Sequence, residues 1–235
     1  MEMKNMIVGQ SGGPTAAINS SLYGVVSEGL RQKEFIGRVY GMVNGIEGFL
    51  EGHILDFEDA LPGGTLEGLK TTPGAYLGSC RYKLPEDLSD PVYPELFAKF
   101  EELQIGYVFY IGGNDSMDTV SKLSRYAASA GSEIRFIGEP KTVDNDLVLT
   151  DHTPGFGSAA RYVASTVREI VIDANVYEKK SVTIIEIMGR HAGWLAGSAA
   201  LAAWVGYGPD LIYLPEVDFD MERFLADVHL SLIHI

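Results

Sequence analysis

Charged and hydroxyl side chains are concentrated in the loop that follows the apolar run at residues 134–137. Gly138 directly after this run and Pro140 two residues later predict that it is a buried strand ending in a loop. In an extended loop, residues two apart point the same way, so Asp144 and Asp146 can face one small site with Lys141 close by. Two carboxylates beside a cation suit a general base, a metal ion or a phosphate group, although a solvated acidic loop has the same composition.

Two further loops place paired glycines between an apolar run and a helical pattern. The run at 107–111 leads into Gly112-Gly113-Asn114-Asp115-Ser116, and the run at 6–9 leads into Gln10-Ser11-Gly12-Gly13-Pro14. Glycines let the backbone approach closely, and the first free N–H groups of a helix point at an anion, so this arrangement predicts phosphate binding. The alternatives are plain turns between strand and helix and, in the first loop, a helix capped by Asp115 or Ser116.

Arg81 follows a Gly-Ser-Cys turn, where a guanidinium can clamp a phosphate as a planar fork. A lone arginine is more often a surface residue, so this position alone carries little weight.

Apolar runs and helical patterns alternate along the chain, which predicts an α/β fold: two Rossmann-like three-layer domains with mostly parallel sheets. Strands are predicted at 6–9, 36–40, 107–111, 134–137, 182–187 and 211–214, and helices at 94–103, 116–130 and 156–176. The glycine loops then lie beyond the carboxyl ends of strands, where such folds bind ligands. The predicted divisions are a first domain at 1–153, a second at 154–227 and an atypical tail at 228–235.

The charge balance narrows the classes of partner. The chain has 18 Lys and Arg against 32 Asp and Glu, a formal net charge of −14, which argues against nucleic-acid binding. The single cysteine, Cys80, excludes an internal disulfide and fits a reducing cytoplasm. No signal peptide and no run near the ~20 apolar residues of a membrane span is present, so we expect a cytoplasmic protein without a membrane partner.

Five clusters resemble in their order the site motifs of the phosphofructokinase family: 9–14, 112–116, 140–146, Met188-Gly189-Arg190 and Pro215-Glu216. The resemblance extends from about residue 6 to residue 227. The resemblance implies phosphoryl transfer to the 1-hydroxyl of fructose 6-phosphate, a glycolytic step, with Mg²⁺ and in a homo-oligomer, a dimer or tetramer. It also implies that the C-terminal part of the family fold is missing. We therefore expect the 235-residue chain by itself to be poorly stable and inactive.

The resemblance implies a role for each matched residue. Asp144 matches the general base that takes the proton from the attacking sugar hydroxyl. The other positions matched to the sugar site are Thr142, Val143, Asp146, Met188, Gly189, Arg190 and Glu216. Those matched to the donor phosphates are Gly12, Gly13, Arg81, Gly113 and Ser116, and those matched to the metal are Asn114 and Asp115.

Asp115 and Lys141 stand at the two positions that separate donors in this family. Pyrophosphate users have Asp and Lys there, as this chain does, whereas ATP users have Gly at both. An Asp crowds and repels a nucleotide's α-phosphate, and a Lys adds charge for a compact donor. The chain departs from the family at Asn114, where an Asp tied to magnesium is usual. The alternatives are an ATP-dependent 6-phosphofructokinase, another phosphotransferase such as an NAD or lipid kinase, and an inactive fragment or regulatory subunit.

Overall fold

The structure is a computed structural model that describes residues 3–15, 17–59 and 66–234. The chain divides into two compact units, Met1–Lys141 and Thr142–Ile235. This division falls after Lys141, whereas the domain boundary predicted from the sequence lies after residue 153. Residues 61–65, the start of a polar, Gly- and Thr-rich stretch at 61–82, lie outside the described residues.

Unit 1 alternates strands and helices as the apolar patterning predicts. Its elements in chain order are β1 (Lys4–Gln10), α1 (Ile18–Arg31), β2 (Ile36–Met42), α2 (Gly45–Leu50), β3 (Ile54–Asp56), a 3₁₀ helix (Leu66–Lys70), α3 (Val92–Glu102), β4 (Ile105–Gly112), α4 (Asn114–Ala130) and β5 (Arg135–Pro140).

The five strands form one sheet in the order β3-β2-β1-β4-β5. All neighbours are parallel except β3, a short strand that runs antiparallel to β2 and that was not predicted from the sequence. The chain leaves β1 on one side to form β2 and later returns on its other side to form β4. The carboxyl ends of β1 and β4 are therefore the topological switch point, where α/β sheets bind ligands.

Alternate residues of β1 face opposite layers of helices. Ile7 packs with the core around α2, α3 and α4, whereas Met6 and Val8 pack with the core around α1. All three side chains are buried because β1 is the central strand. Unit 1 is thus a helix–sheet–helix layer structure, and the prediction of an α/β fold with a mostly parallel sheet is confirmed.

β5 ends later than its sequence pattern predicts. Gly138 was expected to stop this strand, but β5 continues through it to Pro140, which pairs with Gly112 of β4. Gly138 belongs inside the strand because α4 lies close to it: a Cβ built there would be 2.7 Å from the Met117 sulfur. Pro140 is tolerated because β5 is the edge strand.

Unit 2 contains α5 (Phe156–Ala174), α6 (Trp194–Ser198), a second 3₁₀ helix (Ala199–Val205) and α7 (Met221–His234). The predicted strands at 182–187 and 211–214 are wrong for this structure, which forms neither of them. Ile185 and Ile187 nevertheless pack against α5 residues such as Val163 and Val167, and Ile184 is exposed. These residues alternate as in a strand, but a strand also needs a partner for its hydrogen bonds, and no described segment provides one here.

Residues 228–234, expected to be an atypical tail, continue α7. Within the ranges that the structure describes, no helix combines the length and the apolar character that crossing a membrane requires.

Candidate functional site

The glycine loops after β1 and β4 are tied together at the switch point. The Ser11 N–H donates to the carbonyl of Ile111 (3.0 Å), and the hydroxyls of Ser11 and Ser116 hydrogen-bond each other. Gly12 has a φ of +78°, a conformation that glycine adopts without strain. The sequence therefore folds two separate loops into one surface at the ends of adjacent parallel strands.

The N-terminus of α4 has no side-chain cap. Gly113 occupies the cap position in an extended conformation, and the Ser116 hydroxyl contacts Ser11 instead of the helix end. Asp115, in the first turn, forms an ion pair with Lys83 (3.2 Å), and both side chains are largely exposed. The capping role considered for Asp115 and Ser116 is therefore wrong. The Ser116 N–H donates to the Gly113 carbonyl (2.9 Å), and the N–H groups before it in the first turn can receive an anion.

Lys141 places its ammonium beside both glycine loops. Its backbone N–H donates to Gly112 (2.9 Å), and its side chain is only 7% exposed. A Cβ built on Gly12 would lie 3.6 Å from the Lys141 Nζ, and one built on Gly113 would lie 3.9 Å from it. Gly13 has open space around it. A largely desolvated positive charge thus lies where the two loops converge, which is an arrangement for binding phosphate.

Arg81 lies next to a segment that touches the first loop. The Gly12 N–H donates to Cys80 (3.2 Å), and the Ser79 hydroxyl donates to the Gly12 carbonyl (2.5 Å). The Arg81 side chain itself is exposed. Its predicted contact with donor phosphates is compatible with this placement, because the backbone one residue earlier contacts Gly12.

Lys122 of α4 holds the following segment in place. Its buried ammonium donates to the Leu84 carbonyl (3.0 Å) and pairs with Glu86 (2.6 Å) and Asp118 (2.7 Å). The hydrogen bonds to Asp118 and then Glu86 raise the pKa of Lys122 above its usual value. This residue, which was not singled out from the sequence, fixes the stretch next to Lys83 and so limits where the partner of Asp115 can lie.

The acidic loop of unit 2 is folded around a buried asparagine. Asn145 has a φ of +60°, and its side chain donates to the Asp151 carbonyl (3.0 Å) and accepts from the Thr153 N–H (2.8 Å). Asparagine tolerates this left-handed conformation and bonds nearby backbone, which is the signal that could have marked it. Sequence reasoning missed Asn145, which holds the two carboxylates on either side of it.

Asp144 and Asp146 lie on either side of Asn145, and both side chains are half-buried. The Asp144 N–H donates to the Thr142 hydroxyl (3.0 Å), and Val143 between them is half-buried. One carboxylate oxygen of Asp146 is buried and has no hydrogen-bond partner among the described residues. A buried oxygen of this kind is costly unless something binds it, so Asp146 is a candidate contact for a ligand hydroxyl.

The turn Met188-Gly189-Arg190 depends on its glycine. Gly189 has a φ of +140°, and a Cβ at this position would lie 2.4 Å from the Ala192 carbonyl oxygen. No other residue fits this backbone. Met188 and Arg190 are exposed on either side of the turn, so both side chains can reach a ligand.

Glu216 lies in a groove of about 950 Å³ within unit 2. Its carboxylate accepts a hydrogen bond from the Gly193 N–H (2.7 Å), just ahead of α6. The groove is lined mainly by apolar side chains, together with His152 and the α5 residues Arg161 and Arg168. These arginines are seven residues apart and so lie on one face of the helix. From the sequence they were recognised only as helix residues.

The predicted metal ligands provide two oxygen-bearing side chains, Asn114 and Asp115, at the start of α4. Among residues 3–15, 17–59 and 66–234 there is no group of three His, Cys, Asp or Glu that could hold a metal ion. Mg²⁺ usually takes only one or two carboxylates and completes its shell with water and phosphate oxygens, so the two residues fit such an ion. The magnesium assignment remains a prediction.

Fold and site together define an α/β protein in which two glycine loops, an uncapped helix N-terminus and a buried lysine meet at the switch point. Unit 1 brings Gly12, Gly113, Ser116 and Lys141 together, with Asp115 in the first turn of α4. Unit 2 separately carries the acidic loop, the glycine turn and the Glu216 groove.

The chain belongs to the phosphofructokinase family: the family description "PFK: Phosphofructokinase" matches residues 5–232. It is 45% identical over 224 residues to the pyrophosphate–fructose 6-phosphate 1-phosphotransferase of Rhodospirillum rubrum, covering 95% of this chain and 54% of that protein. It is 38% identical to the sulfofructose kinase of Alkalicoccus urumqiensis, covering 94% and 56%. The chain thus spans about half the length of the curated relatives it matches.

Solved structures agree with this assignment. The pyrophosphate-dependent phosphofructokinase from Marinobacter aquaeolei matches with a TM-score of 0.79 and 41% identity, over 98% of this chain and 57% of that one. Relatives named ATP-dependent 6-phosphofructokinase match with lower identity, 33% in Chloroflexus aggregans and 29% in Propionibacterium freudenreichii. The family assignment replaces the alternative of an NAD or lipid kinase.

Proposed function

We propose that this chain carries the donor and acceptor residues of a phosphotransferase that moves a phosphoryl group from pyrophosphate to the 1-hydroxyl of fructose 6-phosphate. The observation that carries the proposal is the buried ammonium of Lys141 between the Gly12 and Gly113 loops. A fixed charge at this point suits a small, highly charged donor that has no nucleoside to anchor it. The names of the pyrophosphate-dependent relatives support the same donor.

The donor half of the reaction belongs to unit 1. The N–H groups at the start of α4 and the Gly12 loop receive the phosphate oxygens, and Lys141 neutralises the charge that moves to the departing phosphate. Asn114 and Asp115 are the residues that would hold Mg²⁺, which when bound neutralises pyrophosphate further. Arg81 adds a second, more exposed cation.

The acceptor half belongs to unit 2. The Asp144 carboxylate accepts the proton of the sugar 1-hydroxyl as that oxygen attacks phosphorus, because a neutral hydroxyl is a poor nucleophile. Thr142 fixes the backbone of this residue through its hydrogen bond. The unpartnered Asp146 oxygen and Glu216 accept from other sugar hydroxyls. Most of the rate enhancement in such a transfer comes from positioning and charge neutralisation.

The sugar's 6-phosphate is assigned to the cations of unit 2. Arg190 follows the Gly189 turn, and Arg161 and Arg168 line the groove that contains Glu216. A guanidinium binds a sulfonate by the same geometry as a phosphate. Sulfofructose is therefore a second candidate acceptor, favoured by the relative of that name at 38% identity.

The direct test, made with a protein that carries these residues at the full length of the relatives, is formation of fructose 1,6-bisphosphate from fructose 6-phosphate with pyrophosphate or ATP as donor. We expect product with pyrophosphate and a much lower kcat/KM with ATP. Preference for ATP would overturn the donor assignment, and preference for sulfofructose would overturn the acceptor assignment.

The expected homo-oligomer and the cytoplasmic location rest on resemblance and composition, and sedimentation and fractionation would test them.

A further inference from the structure

We propose that Gln10 and Asn19 are positioning residues for the donor phosphates: their buried side-chain amides clamp the segment 72–80, and thereby Arg81, against the Gly12 loop. This inference rests on the proposed function for its ligand. Both side chains are almost completely buried, with 0% and 1% exposure. A buried amide is costly unless its polar atoms are bonded, so the partners of these two residues are informative.

Gln10 makes hydrogen bonds in both directions from the end of β1. Its amide nitrogen donates to the Ile18 carbonyl (3.0 Å) and to the Asn19 side-chain oxygen (3.1 Å). Its amide oxygen accepts from the Leu77 N–H (2.9 Å). One side chain therefore joins the last residue of β1, the start of α1 and a backbone site 67 residues away.

Asn19 completes the attachment from the first turn of α1. Its side-chain oxygen also accepts from the Tyr76 N–H (2.9 Å), and its nitrogen donates to the Thr72 carbonyl (2.8 Å). Residues 72–80 are neither helix nor strand. Their backbone groups still need partners, and the two amides provide them in place of regular secondary structure.

The clamped segment ends at the donor loop. Ser79 donates its hydroxyl to the Gly12 carbonyl (2.5 Å), and the Cys80 carbonyl accepts from the Gly12 N–H (3.2 Å). Arg81 is the next residue. Because Leu77 is bonded to Gln10 of β1 and Cys80 is bonded to Gly12, the Arg81 backbone has a fixed position beside Gly12. Releasing Leu77 would let that position move, and misplacement of about 1 Å can cost up to roughly 10²-fold in function.

Gln10→Met tests the clamp, because methionine keeps the volume and removes the amide. Asn5→Leu is a matched control: Asn5 is a side-chain amide at the opposite end of β1, donating to the Leu103 carbonyl (2.8 Å) and accepting from the Arg38 N–H (2.8 Å). Both variants should lower the melting temperature. Only Gln10→Met should weaken pyrophosphate binding, by roughly 10-fold or more in a calorimetric titration, and speed amide exchange at Leu77.

A double-mutant cycle separates positioning from general damage. If Gln10 acts through Arg81, Gln10→Met should have almost no further effect on pyrophosphate affinity in an Arg81→Ala background. Additive effects, or equal losses in the Asn5→Leu control, would overturn the proposal. Should Gln10→Met not fold, Ser79→Ala removes only the contact to Gly12, and unchanged affinity in that variant would also overturn it.

Failure of the donor assignment and failure of the clamp give different results. If the wild-type chain does not bind pyrophosphate, the proposed donor is wrong. The clamp is then decided by hydrogen exchange alone: faster exchange at Tyr76 and Leu77 in Gln10→Met supports it, and unchanged exchange refutes it.

Discussion

Replacing Lys141 by methionine is expected to weaken pyrophosphate binding more than ATP binding, because ATP also has a nucleoside to anchor it. The Lys141 ammonium lies 3.6 Å from where a Cβ on Gly12 would be, and the side chain is 7% exposed. At about 4 Å and an effective dielectric constant of 20, one pair of unit charges interacts by about 4 kcal/mol. Allowing for the other interactions of this lysine, a net loss of about 3 kcal/mol, or roughly 10²-fold in Kd, is expected.

Replacing Asp115 should change donor binding less than replacing Lys141, and it should strengthen binding of ATP instead of weakening it. Its side chain is 66% exposed and paired with Lys83, so solvent and that lysine screen its repulsion of a nucleotide phosphate. Asp115→Gly is expected to improve ATP binding only several-fold, as for other exposed charges. The variant with both changes should favour ATP most, because one change removes a stabilising charge and the other removes an obstacle.

Calorimetric titration of pyrophosphate and ATP into the wild type and the three variants is the assay. Lys33→Met is the control, because Lys33 is an exposed lysine that lies just before β2 and forms an ion pair with Glu58. Its pyrophosphate Kd should match the wild type. If Lys141→Met bound pyrophosphate as tightly as this control, the assignment of Lys141 to the donor would be refuted.

Three further outcomes are expected, the two kinetic ones in a protein that carries these residues at the full length of the relatives. Asp144→Asn should lower kcat by roughly 10²–10⁴-fold with little change in the KM for fructose 6-phosphate, and a near-normal kcat would remove its role as base. Lys122→Met should lower the free energy of unfolding by about 1–3 kcal/mol in urea titrations at pH 7. Folding raises the pKa of Lys122, so the stability difference between wild type and variant should be complete below a lysine's ordinary pKa of 10.5. It should shrink as the pH rises through the raised pKa of the folded state. A stability difference that did not change with pH would contradict this. Arg168→Ala should raise the KM for fructose 6-phosphate but not for pyrophosphate, whereas the same loss in Arg125→Ala on α4 would indicate a nonspecific charge effect.

Unit 1 was predictable because its signals are local. A central parallel strand buried on both faces reads as a continuous apolar run, as in β1 and β4. A glycine loop before a helix is equally local, so Gly12 and Gly113 mark the switch point in the sequence itself. The end of β5 was missed because the need for glycine at 138 comes from Met117 of α4, which a strand pattern cannot show.

Unit 2 was less predictable because a strand needs both residues that favour the extended conformation and a neighbouring strand to pair with. Residues 182–187 are strongly β-branched, and Ile185 and Ile187 face α5 with the expected two-residue period. Hydrogen-bonded pairing depends on a neighbouring strand, which can come from any part of the sequence. The side-chain pattern was therefore interpreted correctly while the secondary structure was not.

Within the site itself, the glycines could be recognised from the local sequence, whereas the buried amides bond residues that are distant in the sequence. A glycine is needed because of the conformation of its own backbone, as for Gly189 at a φ of +140°. Its presence therefore indicates the turn from the local sequence alone. Gln10 bonds Leu77 across 67 residues, and nothing near Gln10 indicates that partner. A variant that kept every glycine loop but lost the Gln10 amide would retain the sequence signature of a donor site. It would lose the attachment that holds Arg81 beside Gly12, and its affinity for pyrophosphate would fall although every predicted site residue remained.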